Sequence, residues 1–224
     1  MAQHRQEFEH ELEAIEAKVV DLFSMVAEDL PTATGALLSG NSDAARELAE
    51  RDRLIDDLYP QIEKLADREI LLQAPMASEQ RFLISVLRVV PELERSHDLV
   101  VNIAHRASHI LGDDLSPRSR GLVEQMGNLA ADMWRQVVDC WRQRDRTAAA
   151  ALDQRDDEMD ELYASLMAEL ASGRMTIPVT MEMTLVARFY ERLADHAVNI
   201  ANRVVYLAGS ASGRSREVPA QTDP

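Results

Sequence analysis

A single cysteine, Cys140, stands in a chain of 224 residues, so no intramolecular disulfide can form and no cysteine zinc site or redox pair can be assembled. Its ordinary role is that of a small apolar core residue. Aromatics are only 4% of the chain, with 8 glycines and 8 prolines, which is poor in the residue types that sheets use. Cations are outnumbered, 24 against 39 acids, giving a formal charge of −15, a field that repels phosphate backbones and excludes a basic nucleic-acid footprint. Nor is there an uncharged run of about 18 residues to span a membrane, and the opening MAQHRQEFEHELEAIEAK is too polar for a secretory signal. A cytoplasmic protein is expected.

What is present is helix-forming: 46% apolar residues, with Ala, Leu, Glu and Arg dominant, enough for a buried core. Phe8, Leu12, Ile15, Val19, Leu22, Val26 and Leu30 recur at spacings of three and four and predict a first helix, its end loosened by Pro31 and Gly35. A break at Leu38-Ser39-Gly40-Asn41-Ser42 precedes a second helix from near Asp43 to about Leu72. A third is expected from about Ser78 to Leu111, closed by Gly112. Ser116-Pro117 marks the N-terminus of a fourth, Asp145-Arg146-Thr147 separates a fifth, and Gly173 with Pro178 separates a sixth that ends before Gly209. Residues 210–224 have little to bury and are expected to be a disordered tail.

The chain repeats itself. RDRLIDDLY (51–59) and RDDEMDELY (155–163) agree at five of nine positions; ERSHDLVVNIAHR (94–106) and ERLADHAVNIANR (191–203) agree at eight of thirteen. The longer interval from Asp52 to Glu94 than from Asp156 to Glu191 suggests a longer first connection. The fold class is all-α, two tandem three-helix bundles, with units expected at 1–112 and 113–209.

The shared positions include four acidic pairs at i,i+4: Asp52 with Asp56, Glu94 with Asp98, Asp156 with Asp160, and Glu191 with Asp195. Such like-charge pairs repel by about 0.2–0.5 kcal/mol each, a cost that a cation offsets. Carboxylates suit hard ions, and Asn102 and Asn199, one turn on, could add amide oxygens. Two rival readings are solvated acidic faces and ion pairs with Arg51, Arg95, Arg155 and Arg192. Glu94-x-x-His97 matches one half of a ferritin-like di-metal motif, but the second repeat has Ala194 in place of His97, so His97 and His196 are read as lying at the surface or just behind the carboxylates. The methionines are read as core filler. No glycine-rich phosphate loop, GxSxG or HExxH occurs, so an enzyme is not expected; the alternatives to a binding protein are a ferritin-like oxidoreductase or a metal-binding scaffold.

ERLADHAVNIANRVVYL (191–207), ERSHDLVVNIA (94–104) and the paired RDxxxD segments resemble the PhoU family of phosphate-uptake regulators. The resemblance implies six helices in two bundles and metal clusters at acidic motifs: Asp52, Asp56, Glu94 and Asp98 in one, Asp156, Asp160, Glu191 and Asp195 in the other, holding Fe, Mn, Zn or Mg. It departs from the family pattern at Ser96-His97 and Leu99-Val100, and its Gln73 to Pro75 loop is one residue short. By resemblance, the protein is a negative regulator of phosphate uptake and starvation signalling, an adaptor whose partners are the ATPase subunit of the phosphate ABC transporter and the phosphate sensor histidine kinase. Recruitment to the inner membrane through those partners and assembly as a homodimer are the corresponding expectations.

Overall fold

The computed structural model describes residues 2–108 and 115–209, and these form six α-helices: α1 (Ala2–Ser39), α2 (Ser42–Gln73), α3 (Ala77–His105), α4 (Pro117–Gln143), α5 (Ala148–Leu170) and α6 (Ile177–Ala208). No strand occurs among the described residues, and none of their helices is long and apolar enough to cross a membrane. Asn41 caps α2, its side chain accepting from the amides of Asp43 and Ala44, and Gly40 makes the preceding turn at φ 70°. Ser116 caps α4 by accepting from the Ser119 amide, with Pro117 behind it as expected.

Three boundaries differ from the sequence reading. Pro31 and Gly35 do not loosen α1, which continues to Ser39: Leu30, Ala33, Thr34, Ala36 and Leu37 are all buried, and that packing outweighs the hydrogen bond Pro31 forfeits. α3 ends at His105, short of Leu111, and tightens into a 3-10 turn over Arg106–Ser108, where the Ser108 hydroxyl donates to the His105 carbonyl. Leu111 and Gly112, like the 112/113 unit boundary and the tail 210–224, lie outside the described residues. The extra length of the first unit is helix, not loop: residues 74–76 join α2 to α3, fewer than the 171–176 that join α5 to α6.

Two three-helix groups, α1–α3 and α4–α6, meet along α1 against α4 and α3 against α6. Both pairs are antiparallel. Arg120, early in α4, reaches the Leu38 carbonyl (2.6 Å) at the end of α1 and Arg144, just past the end of α4, reaches back to Glu16 in the first half of α1, while Arg106 pairs with Glu182 (2.7 Å) where α3 ends and α6 begins. One apolar core runs through both groups, with Phe23, Trp134, Trp141 and Tyr190 fully buried, and the expected stripe residues line it. Cys140 is buried in it, the thiol pushed up to about 11 by burial, as its role as a core residue requires. Across the junction the Tyr190 hydroxyl of α6 meets Thr34 of α1 (2.8 Å), whose own hydroxyl donates to the Leu30 carbonyl, and within the second group the Trp134 indole donates to the Leu193 carbonyl.

Gly127 of α4 lets α1 approach: a Cβ there would come within 2.5 Å of Thr34. Gly35, on the exposed side of α1, has nothing within 4 Å. The same substitution should therefore act in opposite directions at the two sites. Gly35→Ala is expected to stabilise by about 0.5–1 kcal/mol through helix propensity. Gly127→Ala is expected to destabilise, because displacing buried Thr34 costs about 1–3 kcal/mol. Chemical denaturation of both variants checks this, and equal gains would contradict the close approach.

Candidate functional site

Each unit carries its four acids on the last two of its helices, which pack side by side: Asp52 and Asp56 on α2 beside Glu94 and Asp98 on α3, and Asp156 and Asp160 on α5 beside Glu191 and Asp195 on α6. Burial repeats with the sequence. Asp52, Glu94, Asp156 and Glu191 are half-buried, and Asp56, Asp98, Asp160 and Asp195 are exposed. The i,i+4 spacing turns each pair towards the neighbouring helix, so the fold gathers the eight acids into two quartets.

Their mutual repulsion shows in their proton affinities. Burial pushes the Asp156 carboxyl up to about 6, with Asp195, Asp160 and Glu191 adding like charge. Glu191 is raised by burial and then by Asp195, against the opposing pull of Arg188. In the first quartet Glu94 is raised by burial and by Asp98 and Asp56, and Asp98 by burial and by Asp52 and Asp56.

None of Arg51, Arg95, Arg155 and Arg192 forms an ion pair with a quartet acid among the described residues. Arg188 donates to Glu191, the sole arginine ion pair that reaches either quartet among the described residues. Arg51 turns to Asp29 (3.0 Å) and Glu28 (3.6 Å) of α1, and Arg155 to Asp132 (3.6 Å) of α4, the same arrangement in both units. Arg51 and Arg155 thus staple the helices instead of neutralising the quartets. Asn199 also points elsewhere, its amide 3.5 Å from Glu92.

His97 is not at the surface. It is fully buried, with Nδ1 2.6 Å from Asp52 and Nε2 2.9 Å from Asp29, bridging α3 to α2 and α1. Burial alone would lower its pKa, but the hydrogen bonds to Asp29 and Asp52 outweigh it and the net direction is up. With both ring nitrogens committed, it is not available for the ferritin-like role that its spacing from Glu94 suggested. His196 is also buried, its Nδ1 2.9 Å from the Ser96 hydroxyl across the α3–α6 contact, and burial holds its pKa below the usual value. Asp29 was missed in the sequence. Its signal was register: it lies three residues after Val26 and four before Ala33, on the apolar stripe, where a carboxylate needs a buried partner.

The donor chemistry of the second quartet fits a hard cation: all four donors are carboxylates, and Glu191 Oε2 is buried with no hydrogen-bond partner. As the side chains stand, no three acidic, histidine or cysteine groups among the described residues converge closely enough to enclose an ion. An ion held there would need the exposed Asp160 and Asp195 side chains to turn towards Asp156 and Glu191.

Compared with known proteins, the chain matches the family model described as PhoU domain twice, over residues 19–107 and 123–204. The phosphate-specific transport system accessory protein PhoU homolog of Zymomonas mobilis is 31% identical over 205 residues, covering 90% of this chain and 86% of its own. PhoU homolog 1 of Mycobacterium tuberculosis is 31% identical over 209 residues, covering 89% and 92%. The crystal structure of PhoU from Pseudomonas aeruginosa superposes with a TM-score of 0.83 at 28% identity, covering 89% of this chain and 98% of that one. The phosphate transport system regulatory protein PhoU from Streptococcus pneumoniae gives 0.82 at 27%, covering 94% and 100%.

The repulsion in the second quartet has a pH signature. Because the folded Asp156 carboxyl titrates near 6, above its ordinary 3.8, its contribution to stability is intact below about pH 4 and is lost as pH rises through about 6. In chelator-treated protein, Asp156→Asn should raise Tm at about pH 7.5 and leave it nearly unchanged at about pH 4. Thermal denaturation at the two pH values checks this, and an equal shift at both would contradict it.

Proposed function

The chain belongs to the PhoU family, and on that premise we propose that it is the accessory regulator of a phosphate-specific transport system, acting by binding and without turnover. The observation that carries this reading is the family match repeated over both halves of the chain, with relatives of that name aligned along nearly all of it. The partners in this reading are the transporter's ATPase subunit and the phosphate sensor histidine kinase, through which the protein reaches the inner membrane. A strongly acidic field argues against direct attraction to anionic lipid.

Docking has support in the surface. Leu71, Leu72 and Met76 are exposed at the α2–α3 turn, and Ile177 and Met181 at the start of α6. The antiparallel pairing of the units sets these two apolar tips at opposite ends of the molecule, so two partners, or the two halves of a homodimer, can be engaged at once. Regulation by such a protein requires different affinity for a partner in its phosphate-replete and phosphate-poor states, and a coupling of about 1–3 kcal/mol changes occupancy roughly 5- to 150-fold.

Metal enters the reading at the second quartet. Asp156, Asp160, Glu191 and Asp195 would hold the ion, which would add positive charge to the single guanidinium, Arg188, that reaches them, tying α5 to α6. The residues' own part is to present oxygen donors from two helices and to keep one of them, Glu191 Oε2, out of water.

The functional reading is tested in cells. Deletion of the gene should switch on phosphate-starvation genes, read as alkaline phosphatase activity in ample phosphate, and pull-downs should recover the ATPase subunit or the sensor kinase. Silent reporters with neither partner recovered would overturn it.

A further inference from the structure

One seam of the molecule reverses the sign of the chain. On α3, Arg88, Glu92 and Arg95 follow at spacings of four and three, and on α6, Arg192, Asn199 and Arg203 at seven and four, so each set shares one side of its helix. The two sides meet where Ser96 bonds His196 (2.9 Å) between the antiparallel helices. Next to that contact Arg88 and Arg203 line a cleft of about 460 Å³ together with Glu92, Asn199 and Asn202. Val89 and Ile200 form its buried floor. Arg95 and Arg192 stand further along the seam, near enough that their charge adds to burial in holding the His196 pKa down. Four arginines thus face one carboxylate here, in a chain whose formal charge is −15.

None of these four arginines has an acidic ion-pair partner among the described residues. Arg203 is half-buried and lies against the Tyr206 ring, its guanidinium carbon 5.4 Å from the centroid, which restricts it at the cleft. Guanidinium groups brought together repel one another, and an oxyanion between them offsets that repulsion while filling their planar forks of N–H donors. The Asn199 and Asn202 amides add neutral donors. Glu92 sets the choice of anion. Its carboxylate is half-buried and held at 3.5 Å by the Asn199 amide through Oε1, which leaves Oε2 to accept from a ligand. Hydrogen phosphate carries a proton that a carboxylate accepts, whereas sulfate at neutral pH carries none and meets only repulsion from it.

We propose that the cleft between α3 and α6 binds inorganic phosphate, with Arg88 and Arg203 holding its oxygens and Glu92 accepting its proton. The cleft is built from one helix of each unit, so a bound ion ties the two units together at their second contact. That its filling marks the phosphate-replete state rests on the functional reading given above; the site itself rests on the cleft.

The test is isothermal titration calorimetry of the full chain with sodium phosphate and with sodium sulfate, at neutral pH, constant ionic strength and with chelator present, so that no ion at the quartets holds the anion. Phosphate should bind, and sulfate should bind at least about tenfold more weakly. Arg88→Ala and Arg203→Ala should each weaken phosphate binding about tenfold or more, the effect of losing one charge-assisted hydrogen bond. Arg146→Ala, which removes the same charge from an exposed position between α4 and α5, should leave it unchanged. Glu92→Gln should remove the preference for phosphate over sulfate. Circular dichroism confirms that each variant is folded. No binding of inorganic phosphate, even where a phosphoserine peptide binds, would overturn the inference. So would equal losses in all three arginine variants, or equal affinity of the wild type for phosphate and sulfate. Each of these results leaves the functional reading standing, since that is judged by the deletion strain and the pull-downs.

Discussion

The molecule depends on one seam, the burial of the apolar stripes of α1, α3, α4 and α6 against each other along two antiparallel contacts. Because the core is continuous across that seam, the outward faces of α2 with α3 and of α5 with α6 are left for charge. The quartets occupy those faces, and their acids remain half-buried or exposed instead of fully buried. A carboxylate buried inside one unit is tolerated only with partners. Asp29 has His97 and Arg51, which between them satisfy its two oxygens.

Much of this was legible in the sequence because it depends on periodicity. Apolar spacings of three and four located six helices and nearly all of the core, and the internal repeat located the eight acids and their pairing across neighbouring helices. What could not be read was set by contacts between segments distant in sequence. The persistence of α1 through Pro31 depends on α1 being buried on both sides of that proline, which local propensity does not register. The burial of His97 could not be inferred from its spacing to Glu94. It depends on Asp29, sixty-eight residues away, whose charge looked like one more exposed acid in an acidic chain.

The departures from the family pattern at Ser96-His97 gain a physical meaning from the structure. Ser96 takes up His196 across the α3–α6 contact, and His97 takes up Asp29 and Asp52. Neighbouring residues on one helix therefore tie α3 to three other helices, a role that apolar residues at those positions could not fill. The cost is desolvation of charged groups, which a buried triad with complete hydrogen bonding offsets and a broken one does not. Duplication thus produced two units with the same acidic surface and different interiors, the first holding buried Asp29 and His97 where the second holds Met133 and Ala194.

Anomalous X-ray scattering from crystals grown with Mn2+ tests the metal reading of the second quartet most directly, since it locates the ion instead of counting it. The expected result is anomalous density between α5 and α6, beside Asp156 and Glu191. Crystals that show no density there would contradict it.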